Sequence, residues 1–333
     1  MNSFEKPILE VSNLSVELST PNGYVPILEE ISFSLGKGKV LALVGESGCG
    51  KSVCSSSLTR LLPAGLFRTS SGTVMYDGNT DLLKVDSTKL HELRGKEISY
   101  IFQEPFSSLN PLQKIRHQMT EGFVLHGLGD RKAAEEKAEY LLSSVGITDV
   151  KLRMDSYPHQ QSGGILQRVC IAMALMCDPK LLIADEPTSA LDVTVQAQLV
   201  DLLLNLKDRF GLSVLFISHD FGLVSNIADS ICVLYAGRIS ELGPTDSVID
   251  SPFHPYTKGL LNSLPSRFSK TGEFRPIEGR VPTAGSYPKG CHYQNRCPSA
   301  FGPCVLEKPK LLSVSDQSHL SACFLSTHGE LKK

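Results

Sequence analysis

The stretch Gly45-Glu46-Ser47-Gly48-Cys49-Gly50-Lys51-Ser52 decides the fold class of this chain. It matches the pattern GxxxxGK[ST] and stands between a continuous apolar run, residues 40–44, and a segment with helical character, residues 51–62. Its glycines allow the tight backbone that turns successive N–H groups toward a phosphate, and the helix start adds the positive end of its dipole. We therefore predict a nucleotide-binding loop between a buried parallel strand and a helix.

Three side chains of this loop have a predicted role. Lys51 is expected to reach the β- and γ-phosphates of ATP, and the Ser52 hydroxyl to ligate Mg²⁺. Cys49 lies beside the helix start, which lowers the pKa of a thiol, so we expect a reactive cysteine whose alkylation slows ATP hydrolysis. The alternative is a glycine-rich turn with a surface lysine.

The rest of the first 250 residues indicates an α/β core. Residues 8–16 and 31–35 alternate as strands do, and the apolar runs 181–184 and 212–217 resemble buried strands. Between those runs, Thr194 to Phe210 repeats apolar residues at helical spacing. We predict an ATP-binding domain over residues 1–252, with a largely parallel sheet and an inserted helical subdomain at about residues 108–165.

Charged side chains follow two of the buried strands. Asp185 and Glu186 come directly after residues 181–184, at the strand end where α/β sheets bind ligands. Asp185 is expected to hold Mg²⁺, and Glu186 to act as the general base on the attacking water. His219 follows the strand at 212–217, and we expect it to contact the γ-phosphate and to position Glu186. An exposed acidic turn and a structural histidine are the alternatives.

Ser162, Gly163 and Gly164 precede an apolar helix and add a further motif. Together with the loop, this stretch resembles the LSGGQ signature of the ABC-transporter ATPases, although Gln161 and Ile165 replace its first and last residues. The resemblance covers about residues 8–240 and implies a P-loop NTPase core. It also implies that this stretch contacts ATP held by a second ATPase subunit, identical or paralogous. The same resemblance implies three further residues that bind nucleotide, Mg²⁺ or water. These are Gln103, which would also act in catalysis, and Asp192 of the segment 189–192. The third is Tyr24, which would stack on adenine, with Leu18 as the alternative.

Three longer segments, residues 101–111, 157–160 and 254–261, are similar to the oligopeptide/dipeptide (and nickel) importer branch of that family. The similarity implies an ATP-hydrolysing, energy-coupling subunit that is peripheral to the cytoplasmic face of the cell inner membrane. Its implied partners are two transmembrane permease subunits and an extracytoplasmic substrate-binding protein. An importer of nickel or another small solute, a non-transport ABC ATPase, and a subunit that binds ATP but hardly hydrolyses it are the alternatives.

Residues 253–333 form a predicted C-terminal extension that is rich in proline and holds Cys291, Cys297, Cys304 and Cys323. A proline-rich tail with little core of its own has few interactions to offset its ordering entropy, so these thiols suggest a metal staple. A Cys₄ set suits zinc or an iron–sulfur cluster. In the importer branch the pattern around Cys291 and Cys297 is associated with a [4Fe–4S] cluster. Zinc and free buried thiols remain the alternatives.

Composition excludes several other classes of protein. The 333 residues include 33 Lys and Arg against 35 Asp and Glu, a balance that gives no electrostatic basis for nucleic-acid binding. The longest apolar run, Val169 to Cys177, is far shorter than the roughly 20 residues that span a bilayer. The amino-terminal residues lack the pattern of a signal peptide. We therefore expect a cytosolic chain.

Overall fold

The computed structural model describes residues 6–189, 192–264, 277–314 and 318–327. Its strands are β1 Leu9–Thr20, β2 Gly23–Leu35, β3 Val40–Val44, β4 Phe67–Tyr76, β5 Thr80–Asp81, β6 Ile98–Ile101, β7 Leu181–Asp185, β8 Ser213–Ser218, β9 Ser230–Tyr235, β10 Arg238–Pro244, β11 Leu312–Ser313 and β12 Leu320–Ser321. Its helices are α1 Lys51–Leu58, α2 Ser87–Leu93, α3 Pro105–Ser108, α4 Ile115–Leu125, α5 Arg131–Ser144, α6 Val150–Asp155, α7 Gly163–Ala174, α8 Val193–Phe210, α9 Phe221–Val224, α10 Thr245–Asp250, α11 Pro255–Asn262, α12 Gly302–Leu306 and α13 Phe324–Thr327. Among these helices, none combines the length and the apolar character needed to cross a membrane.

The described residues fall into two compact units. The first holds residues up to 36, residues 40–84 and those from 217 onward, and the second holds residues 37–39 and 85–216. Residues on both sides of the predicted boundary at 252 belong to the first unit. The boundary itself stays a prediction.

The first unit contains two groups of paired strands. One is an antiparallel sheet in the order β2-β1-β4-β5, and the other runs β11-β12-β10-β9-β3. In the second group β3 is parallel to β9, with Leu43 opposite Cys232, and all five residues of β3 are buried. An apolar strand without alternation suits a sheet covered on both faces, which is why the run at 40–44 is recognisable from sequence.

The second unit combines a short parallel sheet with a group of packed helices. Strand β6 is parallel to β7, and β8 lies beside β7. Helices α4, α5, α6 and α7 pack on one another, and α5 contributes the buried side chains Ala134, Ala138, Leu141 and Leu142 to that packing. Helices therefore occupy the stretch in which the sequence predicts a helical insertion.

The helix after the loop is shorter than predicted. Helix α1 ends at Leu58, whereas the sequence suggests residue 62. Arg60 adopts a left-handed backbone conformation with φ of 56°, which an α-helix cannot contain, so the chain turns there.

Candidate nucleotide site

The predicted loop lies between β3 and α1, and two of its positions require glycine for steric reasons. A Cβ on Gly45 would lie 2.3 Å from the carbonyl oxygen of Leu234 and 2.8 Å from Cys49 Sγ. Gly50 has φ of 109°, a conformation that L side chains rarely adopt, and a Cβ there would also lie 2.9 Å from Leu28 Cδ2. Only glycine fits both positions, so the tight turn of the loop follows from these two residues.

Lys51 is folded back onto the loop. Its Nζ donates to the carbonyl oxygen of Gly45 at 2.8 Å and to that of Glu46 at 3.2 Å, and only 5% of the residue is exposed. No side chain caps the first turn of α1, whose N-cap is Gly50. A lysine cation held at backbone carbonyls beside an uncapped helix start offers the donors that a phosphate requires. The loop therefore offers donors that suit a phosphate, and Ser52 is exposed in the first turn of α1; its contact with Mg²⁺ stays a prediction.

Cys49 does not have the predicted chemistry. The residue is fully buried, and burial raises the pKa of its thiol to about 11, although Lys51 acts in the opposite direction. The expectation of a lowered pKa from the helix start is wrong. Desolvation of the charged form outweighs the attraction of the helix dipole and the lysine.

The acidic pair lies at the end of β7. Asp185 is the last residue of the strand and is 5% exposed. Glu186 follows with φ of 44°, a backbone conformation that residues other than glycine rarely adopt. Its carbonyl oxygen accepts from Ser189 N at 3.2 Å. The Glu186 carboxylate lies within hydrogen-bonding distance of Gln103, whose Nε2 donates to Glu186 Oε2 at 3.2 Å. The structure thus brings together the predicted base and the predicted glutamine, because β6 and β7 are parallel and end at the same edge.

The signature residues lie at the start of α7. Ser162 is exposed at the N-cap and makes no side-chain cap hydrogen bond, and a Cβ on Gly164 would meet nothing within 4 Å. The Ser162 side chain thus leaves the first N–H groups of this helix uncapped, and their contact with a nucleotide stays a prediction. Gln161 points inward instead: it accepts from Arg153 Nη1 at 2.8 Å and donates to Ser156 Oγ at 2.7 Å. Hydrogen bonds to Arg153 of α6 and to Ser156, directly after that helix, therefore accommodate glutamine in place of the usual leucine at this position.

Two other predicted residues, Asp192 and His219, are both exposed. Asp192 is exposed and caps α8, where its carboxylate accepts from Thr194 N at 3.1 Å and Val195 N at 3.0 Å. Ala190 and Leu191, which precede it in the predicted motif, lie outside the described residues. His219 is exposed directly after β8. It belongs to the first compact unit and Glu186 to the second, so its contact with Glu186 stays a prediction.

Tyr24 lies in the β1–β2 hairpin opposite Ser19 and is 47% exposed. The guanidinium of Arg68 lies 3.6 Å from the centre of its ring. One face of the ring is therefore occupied by a cation, and stacking on adenine would use the other face.

The four cysteines of the extension line one cavity. Burial raises the pKa of Cys291 to about 11, and the thiols of Cys304, Cys323 and Cys297 raise it further. Among the described residues, however, no three or more His, Cys, Asp or Glu side chains are arranged so that they could hold a metal ion. The predicted [4Fe–4S] cluster is therefore not supported by ligand geometry, although its cysteines share a cavity. His292, between two of them in the chain, donates from Nδ1 to the carbonyl oxygen of Ala236 at 2.7 Å.

The extension also reaches the loop through residues that sequence analysis did not assign. Tyr256 Oη accepts from Glu46 N at 2.9 Å, and Arg296 pairs with the Glu46 carboxylate, across 210 and 250 positions of the chain. Both lie within motifs visible in the sequence. No local pattern connects either residue to the loop.

Comparison with known proteins agrees with this geometry. The profile of the family described as ABC transporter matches residues 28–189, and that of the oligopeptide/dipeptide transporter, C-terminal region, matches residues 240–304. A protein of Brucella abortus (strain 2308) is 47% identical over 304 residues, which is 91% of each chain. The dipeptide transport ATP-binding protein DppD of Bacillus subtilis (strain 168) is 42% identical over 318 residues, 96% of this chain and 94% of that protein.

Among solved structures, cbiO1 from Clostridium perfringens, part of the ABC transporter complex cbiONQ, superposes with a TM-score of 0.63. It is 25% identical, and the match covers 81% of this chain and 100% of that one. The fold is thus that of an ATP-binding cassette, and the predicted α/β fold class with a P-loop NTPase core is confirmed. The chain belongs to the ABC transporter family, in which it is an ATP-binding subunit that uses ATP and Mg²⁺.

Proposed function

We propose that this chain is the energy-coupling ATPase subunit of an importer for oligopeptides or dipeptides. Its relatives include a dipeptide transport and an oligopeptide transport ATP-binding protein of Bacillus subtilis, the second 42% identical over 96% of both chains. The match of residues 240–304 to the oligopeptide/dipeptide transporter C-terminal region supports the same substrate class. The chain would act from the cytoplasmic face of the inner membrane, with a second ATPase subunit, two permease subunits and an extracytoplasmic substrate-binding protein.

The hydrogen bond between Gln103 and Glu186 is the observation that carries the catalytic part of this proposal. Glu186 would take a proton from water as the water oxygen bonds to the γ-phosphorus and the bond to the β-phosphate oxygen breaks. The Gln103 amide, 3.2 Å from the Glu186 carboxylate, holds that carboxylate in place. Lys51 would bind the phosphates, and His219 would contact the γ-phosphate. Bound Mg²⁺, held through Ser52, Asp185 and Gln103, would neutralise part of their charge.

Ser162, Gly163 and Gly164 would bind the nucleotide of the second ATPase subunit. The support is the open start of α7, where no side chain competes for the N–H groups. Asp192 and Tyr24 would complete the site, Asp192 at the subunit contact and Tyr24 against adenine.

The variant Glu186→Gln tests the catalytic assignment. It retains the shape and the hydrogen-bonding atoms but cannot accept a proton, so we expect turnover to fall by about 100-fold or more. ATP-dependent dimerisation, measured by light scattering, is expected to persist. Glu136→Gln on the exposed face of α5 is the matched control and should hydrolyse ATP normally. Unchanged turnover in Glu186→Gln would exclude Glu186 as the base.

Transport itself is tested with the complete assembly. The chain is purified together with its membrane partners, reconstituted in vesicles with the binding protein, and supplied with a labelled dipeptide, a labelled oligopeptide or Ni²⁺. We expect ATP-dependent uptake of peptide. Uptake of Ni²⁺ alone would replace the peptide assignment, and a chain that purifies without membrane partners would contradict the transport function.

We also propose that Cys291, Cys297, Cys304 and Cys323 hold a [4Fe–4S] cluster, with Zn²⁺ as the alternative. The support is their common cavity and the branch resemblance in the sequence, whereas the arrangement of the described side chains gives none. The visible absorbance of anaerobically purified chain distinguishes the two, because zinc is colourless. Cys297→Ser should abolish the absorbance and Cys177→Ala, three residues after the end of α7, should not. A colourless chain without bound zinc would contradict both assignments.

A further inference from the structure

Both the main chain and the side chain of Glu46, the second residue of the loop, are held by the C-terminal region. Arg296 Nη1 donates to Glu46 Oε2 at 2.7 Å, and Arg296 Nη2 donates to Oε1 at 2.9 Å. This is a two-bond pair between a guanidinium and a carboxylate, the strongest and most directional ion pair that proteins make. The Glu46 N–H donates to Tyr256 Oη at 2.9 Å.

The two residues that hold Glu46 are themselves fixed. The Arg296 side chain is 6% exposed, and its Nε donates to the carbonyl oxygen of Glu278 at 2.8 Å. Tyr256 is fully buried, and its ring lies edge-on to that of Tyr235, with 4.6 Å between ring centres. A guanidinium and a ring in such settings have little freedom to move, so they place Glu46 rather than follow it.

Glu46 in turn shapes the part of the loop that meets phosphate. Its carbonyl oxygen accepts from Lys51 Nζ at 3.2 Å and from Cys49 N at 3.3 Å. A displacement of this residue would therefore move the lysine that is proposed to bind the β- and γ-phosphates.

The charge of Glu46 is a second reason for the pair. A carboxylate in a loop that binds a triphosphate repels the ligand unless a cation neutralises it. Arg296 is the guanidinium in contact with both carboxylate oxygens. It lies directly before Cys297, within the segment from Cys291 to Cys323 that we call the four-cysteine region.

We propose that Arg296 is a positioning residue for the phosphate-binding loop, through which the C-terminal region sets the affinity for ATP. It fixes Glu46 and cancels the charge of its carboxylate. This inference rests on the proposed binding of ATP at residues 45–52.

The test is the dissociation constant of ATP for the full chain, measured with a fluorescent analogue, together with KM and kcat. Arg296→Gln leaves the Glu46 carboxylate uncompensated, and we expect the dissociation constant and KM to rise about 10-fold while kcat changes less. In the double variant Glu46→Gln with Arg296→Gln the repulsive charge is gone but the ion pair that fixes residue 46 is also lost, so affinity should recover only in part, to within about 3-fold of the original chain. A residue that served stability alone would show no such recovery.

Arg116→Gln is the matched control. Arg116 on α4 makes a comparable two-bond pair with Asp155, at 3.2 Å and 3.1 Å, among the helices of the second unit, and its loss should leave ATP affinity unchanged. Arg296→Lys covers the case in which Arg296→Gln does not fold, and it should weaken binding by less because the positive charge remains. An unchanged dissociation constant in Arg296→Gln and Arg296→Lys would overturn the inference. Failure of the original chain to bind ATP would instead overturn the proposed function.

Discussion

The phosphate-binding loop and the four-cysteine region are both irregular segments that hold cysteine and glycine, but they differ in how much they rely on distant residues. The loop closes on itself, because Lys51 donates to carbonyls five and six positions earlier, and Tyr256 and Arg296 add contacts to Glu46 from outside. The four-cysteine region is anchored by distant residues. Lys308 contacts Glu29, and the His292 ring lies 2.7 Å from the Ala236 carbonyl. The conformation of a loop that closes on its own residues can be predicted from the eight residues 45–52. The conformation of a segment that depends on distant residues cannot be predicted from its own sequence.

A buried carboxylate shows how far this external anchoring extends. Glu241 on β10 is fully buried and accepts from Phe253 N at 2.7 Å, from His254 N at 3.0 Å and from His319 Nε2 at 2.8 Å. It joins the sheet to both ends of the C-terminal region. Substitutions in the loop should therefore mainly lower activity, whereas substitutions that affect the C-terminal region should mainly lower stability.

The largest effect is expected in the loop, on activity rather than on stability. Lys51→Ala removes the cation that is proposed to bind the phosphates, so ATP hydrolysis should fall by about 100-fold or more. Phosphate release measures the activity. Lys89→Ala, which removes an exposed lysine paired with Glu92, should hydrolyse ATP normally. Substantial hydrolysis by Lys51→Ala would contradict the assignment of the loop.

The next effect is on stability and concerns the anchor of the C-terminal region. Glu241→Ala removes the acceptor of a buried N–H group at His254, of a partly buried one at Phe253 and of a bond from the His319 ring, so the free energy of unfolding should fall by about 3 kcal/mol. Urea denaturation measures it. Glu92→Ala removes an exposed carboxylate of α2 and should change stability by less than about 0.5 kcal/mol. Equal stability of the two variants would show that Glu241 is not an anchor.

Acid should also loosen the anchored region. Burial lowers the pKa of His254 to about 4 from its ordinary value of 6.5, although Glu241 acts in the opposite direction. The unfolded chain binds a proton below about pH 6.5, but the folded chain does not until about pH 4. The free energy of unfolding should therefore fall as pH is lowered through that window, by about 3 kcal/mol in all.

The variant His254→Asn isolates this contribution. Asparagine can accept from Tyr256 N as the N-cap of α11, which His254 Nδ1 does at 3.0 Å, but it does not titrate. Denaturation between pH 7 and pH 4 should show a shallower pH dependence in the variant. The same slope in both proteins would assign the titration to other groups.

The smallest effect is an absence of reaction in the loop. With a pKa of about 11 and full burial, less than about one in a thousand Cys49 thiols is ionised at pH 7. Maleimide should therefore leave Cys49 unmodified in the folded chain and modify it in urea, as judged by mass spectrometry. An adduct at Cys49 in the folded chain, with slowed ATP hydrolysis, would restore the expectation drawn from sequence.

Much of the nucleotide site could be predicted from sequence because its parts are contiguous. The buried strand β3, the glycines at 45 and 50 and the acid pair after β7 each lie within a few residues. Their periodicity and spacing follow from backbone geometry alone, which does not depend on the rest of the chain. The same locality explains why the fold class was predictable.

The tertiary structure decided what depends on distance and burial. It placed Gln103 against Glu186, turned Gln161 inward onto Arg153, and raised rather than lowered the pKa of Cys49. In each case the outcome depends on which groups from elsewhere in the chain replace water around a side chain. A local motif does not contain that information.

The sequence by itself determined that this chain carries a phosphate-binding loop, a general-base candidate and a signature motif, because each is written in adjacent residues. Only the tertiary structure decided that Arg296 neutralises Glu46 and that four separated cysteines share one cavity. The physical reason is that ion pairing and desolvation act through space, between residues that the order of the chain keeps far apart.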